Sequence, residues 1–229
     1  FYEYQLYCKS LNATIQNFTK AAKDAIKIKS QTEFVDSIMK NNPQIEDRTN
    51  LKIITIDSKN TLDFDDAIGI QNNNDNTIIT IYISNVSIWL EVLNLWQSFS
   101  SRIATIYLPD KKRPMLPTIL SDSLCSLKEN ESRFTFAMDI YIQNDTIIKT
   151  EFVNALIKVN KNYYHTDKSL LDDNEYNKIF IGVKKLLPKY KYIPNIKNSN
   201  DIISYLMIFM NYYCAKHFEN YDNGIYRTS

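Results

Sequence analysis

The stretch that decides the fold reads Lys52-Ile53-Ile54-Thr55-Ile56-Asp57-Ser58-Lys59-Asn60-Thr61-Leu62-Asp63-Phe64-Asp65-Asp66-Ala67-Ile68-Gly69-Ile70. Residues 52–56 and 67–70 are mostly apolar and rich in isoleucine, which is typical of two short strands. Four aspartates stand at or between these strands: Asp57, Asp63, Asp65 and Asp66. We therefore predict a strand that delivers Asp57, a connecting loop, and a second strand that leaves from Asp66.

Bringing four carboxylates together has an electrostatic cost. Two like charges about 4 Å apart repel by roughly 1 kcal/mol in water and by about 4 kcal/mol at an effective dielectric constant of 20. A cation between them offsets this repulsion, and an all-oxygen shell suits a hard divalent ion, Mg²⁺ or Mn²⁺. The sequence therefore predicts a metal site, with a solvated acidic loop as the alternative. A calcium loop is disfavoured because Ala67 stands where another oxygen ligand is needed.

Turn signals extend these strands into a sheet. The polar run 71–76 predicts a hairpin that joins 67–70 to 77–84, and Asn144-Asp145 predicts another between residues 133–143 and 146–158. Apolar positions at helical spacing predict one or two helices within 13–39, and further helices at 174–187 and 200–217. The predicted fold class is α+β, with a mixed, mainly antiparallel sheet flanked by helices.

Composition excludes several classes of protein. The formal net charge is only +1, so any path for a nucleic acid must be a local groove with few phosphate contacts. The three cysteines have no paired spacing, which indicates reduced thiols and a cytoplasmic protein. Two histidines, His165 and His217, are too few and too scattered for a zinc site. No apolar run reaches the roughly 18 residues that a membrane span needs.

A second segment gives the aspartates a context. It contains Tyr107-Leu108-Pro109, then Pro114-Met115-Leu116-Pro117, then Leu124-Cys125-Ser126-Leu127. An aspartate after a short strand, an Asp-x-Asp-Asp group six residues later, and these three pieces in this order resemble the ribonuclease II (RNB) family. Weaker matches run from about Arg48 to the end of the chain. We expect a leading helical segment at 1–45 and the N-terminal part of an RNB-type catalytic domain at 46–229, with its C-terminal part absent.

The resemblance implies a metal-dependent exoribonuclease. Such an enzyme hydrolyses single-stranded RNA from its 3′ end and releases nucleoside 5′-monophosphates, with Mg²⁺, or Mn²⁺, bound by aspartates. Carried over by position, Asp57 and Asp66 are metal ligands, Asp65 is the carboxylate closest to the attacking water, and Asp63 is a ligand or organises the others. Relatives also have OB-type RNA-binding domains, which the parent protein would share.

The resemblance also implies RNA-binding residues. Tyr107 corresponds to an aromatic that packs against nucleotides, although a tyrosine before Leu-Pro is also typical of a core. A second stacking residue points to Tyr164, or to Tyr163 or His165 if the spacing is read differently. Arg113 belongs to a proline-flanked basic loop that either faces phosphates or is a solvated turn.

Some residues depart from the family pattern. Ser204 and Tyr205 stand where the family usually carries paired glutamates, Asn85 replaces a usual aspartate, and the sequence stops before the arginine that contacts the scissile phosphate. These departures favour an alternative: a catalytically inactive RNA-binding or scaffold subunit on the same fold. A phosphatase with an acidic loop is a third possibility, which the Tyr-Leu-Pro and Leu-Cys-Ser-Leu segments disfavour.

Overall fold

The computed structural model describes residues 2–10, 17–72, 76–98, 105–107, 112–221 and 224, and the side chains of all of these except 17, 98, 107, 112 and 113. The helices are α1 (Tyr2–Ser10), α2 (Asn17–Ala25), α3 (Gln31–Asn41), α4 (Val86–Val92), α5 (Asn174–Leu186) and α6 (Ser199–Glu219). The strands are β1 (Glu46–Asp47), β2 (Ile53–Asp57), β3 (Asp66–Asn72), β4 (Thr77–Ser84), β5 (Ile106–Tyr107), β6 (Lys112–Arg113), β7 (Ser132–Gln143), β8 (Thr146–Lys158) and β9 (Lys161–Tyr164).

Seven strands form one sheet in the order β1-β8-β7-β4-β3-β2-β9. The pairs β1/β8 and β2/β9 are parallel and the other four pairs are antiparallel. The predicted α+β class with a mixed, mainly antiparallel sheet is therefore confirmed.

Both predicted hairpins are present. Strands β3 and β4 pair along their whole length, and β7 pairs with β8 around Asn144 and Asp145. These two residues have φ values of 50° and 56°, the left-handed conformation that a two-residue hairpin turn requires. Asparagine and aspartate tolerate this conformation better than most residues, so the local sequence sets this turn.

Strand β2 is buried on both faces of the sheet because its side chains alternate between two apolar clusters. Ile54 and Ile56 of β2 pack in the cluster that includes α5 and α6, whereas Ile53 packs in the cluster on the opposite face with Phe64 and Tyr82. This explains why Ile53, Ile54, Thr55 and Ile56 are all buried although the side chains of a strand alternate.

The two long helices begin at side-chain caps. Asp173 accepts a hydrogen bond from the Tyr176 backbone N–H at the start of α5. Asn198 forms a capping box with Asp201 at the start of α6. The predicted helices at 174–187 and 200–217 match α5 and α6 to within two residues at each end.

The chain divides into two compact units. The first unit comprises Phe1–Ile45 and Asn85–Ser126, and the sheet unit comprises Glu46–Ser84 and Leu127–Ser229. The expected domain boundary at residue 45 stays a prediction. In this structure, residues 85–126 group with the leading helices. Within the part of the chain that the structure describes, no helix has both the length and the apolar character to cross a membrane.

Candidate active site

Strand β2 ends at Asp57. It lies between β3 and β9, and the Asp57 carbonyl accepts a hydrogen bond from the backbone N–H of His165 at 3.0 Å. Asp57 is opposite Tyr164 in the parallel ladder with β9. The backbone of Asp57 is thus fixed by pairing with a strand more than 100 residues away in the sequence.

Three backbone hydrogen bonds fix the loop that carries the other aspartates. The Thr61 N–H donates to the Ser58 carbonyl at 2.9 Å, the Leu127 N–H to the Phe64 carbonyl at 2.8 Å, and the Ser84 N–H to the Asp65 carbonyl at 2.9 Å. Phe64, which stands between Asp63 and Asp65 in the sequence, has a buried side chain, and Asp66 is the first residue of β3. The loop therefore presents its carboxylates from a rigid backbone.

The four carboxylates interact electrostatically. Burial, together with the charges of Asp66, Asp65 and Asp63, raises the pKa of Asp57 to about 7, against a hydrogen bond from Thr55 that lowers it. Burial, followed by the charge of Asp65, raises the pKa of Asp66 to about 6. Both carboxyls therefore keep their protons to a higher pH than an ordinary aspartate does, and a nearby positive charge would favour their ionised forms.

One oxygen of the cluster is buried and unsatisfied. Asp57 Oδ2 is inaccessible to solvent and has no hydrogen-bond partner among the described residues. A buried carboxylate oxygen without a donor is costly, and a hard divalent cation is a partner that carboxylate oxygens accept. The residues thus fit a cation held first by Asp57 and Asp66. Among the described residues, however, no three acidic, histidine or cysteine side chains form a preassembled metal-binding group.

The three candidates for the second stacking residue, at the end of the ladder between β2 and β9, have different environments. Tyr163 is buried in the core, and its hydroxyl donates to Asp173 Oδ2 at 3.0 Å. Tyr164 is half-buried beside Asp57, and its N–H donates to Asp167 Oδ2. The His165 ring is half-buried and its Nδ1 lies 2.9 Å from the Ser199 hydroxyl. Tyr163 therefore packs in the core cluster, whereas Tyr164 is opposite Asp57 in the ladder, and the choice of stacking residue stays a prediction.

The remaining predicted RNA-binding residues belong to the first unit. Tyr107 lies in β5 and Arg113 in β6, which form a two-stranded antiparallel ribbon in which Ile106 is opposite Arg113. The side chains of Tyr107 and Arg113, and residues 108–111 of the basic loop, lie outside the described part of the structure. Their predicted roles stay predictions.

Two of the residues that depart from the family pattern, Tyr205 and Asn85, have structural roles here. Tyr205 is fully buried in α6 and its hydroxyl donates to the Tyr190 carbonyl at 2.9 Å, whereas Ser204 is exposed. Asn85 caps α4, with its side-chain oxygen accepting from the Ile88 N–H. Tyr205 therefore supports the fold and does not present a polar group to a substrate.

Sequence reasoning missed a buried ion pair in the sheet unit. The Arg48 guanidinium donates to both oxygens of Asp139, at 2.8 and 2.6 Å, and Thr80 Oγ1 donates to Asp139 Oδ1 at 2.7 Å. A cavity of about 590 Å³ borders this pair, and none of the four clustered aspartates lines it. Arg48, the arginine that lines this cavity, is already paired with Asp139 and Glu46, and Glu151 is paired with Lys149.

A second missed network lies beneath Asp57. The Asn162 side chain joins Thr55 to the backbone of residues 127 and 129. The only local signal is the Thr-x-Asp spacing of Thr55 and Asp57, which places both side chains on one face of a strand.

The fold and the site together define an α+β domain whose central sheet ends in a carboxylate cluster. The family model for the RNB domain matches residues 45–179. The chain therefore belongs to the RNB domain family, and the resemblance drawn from its motifs is confirmed.

Individual proteins agree with this assignment. Ribonuclease R of Mycoplasmopsis pulmonis is 31% identical over 226 residues, which cover 91% of this chain and 29% of that protein. The chain thus spans less than a third of the length of this relative. Exoribonuclease 2 of Psychromonas ingrahamii is 39% identical over 138 residues, 58% of this chain and 21% of that protein.

A solved structure is similar in fold. Mycoplasma genitalium RNase R in complex with double-stranded RNA superposes with a TM-score of 0.63 at 20% identity, over 80% of this chain and 39% of that chain. At this identity the likeness concerns the fold alone.

Proposed function

We propose that the parent protein of this chain is a metal-dependent 3′-to-5′ exoribonuclease that hydrolyses single-stranded RNA and releases nucleoside 5′-monophosphates. Membership of the RNB family and the names of the relatives, ribonuclease R and exoribonuclease 2, support the reaction class. The observation that carries the proposal is the buried Asp57 oxygen without a partner, within the electrostatic range of three further aspartates.

Each aspartate has a role in this proposal. Asp57 and Asp66 hold a divalent cation, Mg²⁺ or Mn²⁺, and Asp63 completes or organises the shell. The bound cation supplies positive charge that stabilises the charge developing on the scissile phosphate. Asp65, whose side chain is exposed while its carbonyl is bonded to Ser84, orients the attacking water and accepts its proton.

The RNA is held by contacts that do not read its sequence. Tyr164 lies beside Asp57, where it can pack against the base next to the scissile bond. Tyr107 and Arg113 supply a further stacking surface and a phosphate contact. The remaining C-terminal catalytic segment and OB-type domains of the parent protein complete the RNA path.

The test is degradation of a 5′-labelled single-stranded RNA by the full-length parent protein. We expect a ladder that shortens from the 3′ end with Mg²⁺, stops with EDTA, and is abolished by Asp65→Asn while RNA binding persists. A uniform lack of degradation by a protein that binds RNA would reject the proposal.

One observation favours a second candidate, a catalytically inactive RNA-binding or scaffold subunit. Tyr205 occupies a core position where the family usually carries a glutamate. Yeast Ssd1, described as a pseudonuclease, also has a similar fold, with a TM-score of 0.52 at 14% identity over 69% of this chain and 21% of that chain. A scaffold would bind RNA equally with or without Asp65→Asn and would degrade nothing.

A further inference from the structure

The Asn162 side chain makes three hydrogen bonds that fix its orientation. Its Oδ1 accepts from the Glu129 backbone N–H at 2.7 Å, and its Nδ2 donates to the Leu127 carbonyl at 2.9 Å and to Thr55 Oγ1 at 2.8 Å. A backbone N–H can only donate and a backbone carbonyl can only accept. The amide of Asn162 therefore cannot be turned over, and the group that faces Thr55 is a donor.

This orientation decides where the Thr55 hydroxyl proton points. Thr55 is fully buried and lies opposite Asn162 in the ladder between β2 and β9. Its oxygen accepts from Asn162, so its single proton is left for another acceptor. The carboxylate of Asp57, two residues further along the same face of β2, is available as that acceptor, and a hydrogen bond from Thr55 lowers its pKa.

The bond from Thr55 falls on one oxygen of Asp57. Asp57 Oδ2 has no hydrogen-bond partner among the described residues, which leaves Oδ1 as the oxygen to which the hydroxyl of Thr55 can donate. A carboxylate held at one oxygen by a fixed donor keeps its rotamer and directs its other oxygen in a constant direction. Groups that bond to a metal ligand in this way orient that ligand, and their loss typically weakens metal binding by about 10- to 100-fold.

We propose that Asn162 is a positioning residue for the active site: through Thr55 it holds the Asp57 carboxylate by Oδ1 and leaves Oδ2 for the divalent cation. The inference rests on the proposed function, because it needs Asp57 to be a cation ligand. It adds two residues from outside the aspartate motif to the machinery of the site, one of them more than 100 positions away in the sequence.

The test measures Mn²⁺ affinity of the full-length parent protein without RNA, by the electron paramagnetic resonance of free Mn²⁺. Thr55→Val removes the hydroxyl at nearly constant shape and should raise the Mn²⁺ dissociation constant by about tenfold. Asn162→Ala should raise it by a similar factor. Thr55→Ser keeps a hydroxyl that can accept from Asn162 and donate to Asp57, so it should bind Mn²⁺ as the unmodified protein does.

A matched control separates this effect from general loss of stability. Thr135 is another fully buried threonine of the sheet, and its hydroxyl donates to the Ala155 carbonyl at 3.2 Å and not to a carboxylate. Thr135→Val should lower the melting temperature without changing Mn²⁺ affinity. If Asn162→Ala does not fold, the comparison of Thr55→Val with Thr55→Ser decides the matter alone.

The outcomes distinguish the two proposals. If the unmodified protein binds Mn²⁺ and Asp57→Asn does not, but Thr55→Val binds as well as Thr55→Ser, the positioning role is wrong and the cation site stands. If the unmodified protein itself binds no Mn²⁺, the proposed function loses its metal site and the positioning role is rejected with it.

Discussion

At the scale of single residues, the structure shows which of three consecutive side chains is buried, which the sequence could not. Tyr163, Tyr164 and His165 are consecutive, and only the register of β9 against β2 decides which of them enters the core. That register depends on a parallel pairing between distant segments, which carries no local sequence signal. The aspartates, in contrast, stand out in the sequence because their spacing between two apolar strands is itself the motif.

The placement of the two tyrosines predicts different effects of substitution. Tyr164→Ala should weaken binding of single-stranded RNA by about 1–3 kcal/mol, the usual cost of removing one aromatic that stacks on a base. Tyr163→Phe should leave RNA affinity unchanged and lower stability by about 1 kcal/mol, because it removes only the hydrogen bond to Asp173. Fluorescence anisotropy and urea unfolding measure the two quantities. Loss of RNA affinity in Tyr163→Phe but not in Tyr164→Ala would contradict this prediction.

The raised pKa values of Asp57 and Asp66 predict a pH dependence of cation binding. In the cation-free protein the two carboxyls keep protons up to pH values of about 7 and about 6, whereas an ordinary aspartate has a pKa of 3.8. Between pH 3.8 and about 7, the folded protein therefore binds more protons than the unfolded chain. Its stability falls as the pH rises through this range.

A divalent cation should reverse that loss, because it replaces the bound protons. We expect Mg²⁺ to raise the melting temperature more at about pH 8 than at about pH 5, and we expect Asp57→Asn to reduce the difference. Calorimetry at both pH values, with and without Mg²⁺, measures it. An equal effect of Mg²⁺ at the two pH values would contradict the assignment of these carboxyls as cation ligands.

At the scale of secondary-structure elements, the hairpins and long helices could be predicted because their signals are local. Asn144 and Asp145 define a turn, and the apolar spacing of α5 and α6 indicates helices. The parallel pairs β1/β8 and β2/β9 could not be predicted, since each joins segments about 100 residues apart. The same separation hid the pairing of Arg48 with Asp139, two residues that are unremarkable in their own stretches of sequence.

The buried pair of Arg48 and Asp139 links β1 to the centre of the sheet and should matter for stability. Arg48→Met leaves the carboxylate of Asp139 buried with Thr80 as its remaining donor, and should lower the free energy of unfolding by about 3–5 kcal/mol. The double variant Arg48→Met with Asp139→Leu should recover part of this loss, because no uncompensated charge then remains. Urea unfolding of both variants checks this. If Arg48→Met lowered the free energy of unfolding by less than about 1 kcal/mol, the prediction would be contradicted, because so small a loss is typical of exposed salt bridges.

At the scale of the whole chain, membership of the RNB family and the α+β class followed from motifs that a single sequence contains. The grouping of residues 85–126 with the leading helices did not, because it joins two segments that strands of the sheet unit separate in the sequence. The net charge of +1 is consistent with an RNA path made of a few local contacts.

In the proposed reaction, the aspartate cluster directs water to the 3′-terminal phosphodiester of RNA. The most direct measurement is the incorporation of ¹⁸O from labelled water into the mononucleotides that the full-length parent protein releases with Mg²⁺. We expect nucleoside 5′-monophosphates that each carry one ¹⁸O atom in the phosphate, and no such product from Asp65→Asn. Nucleoside 3′-monophosphates, or bound RNA that yields no mononucleotide, would contradict it.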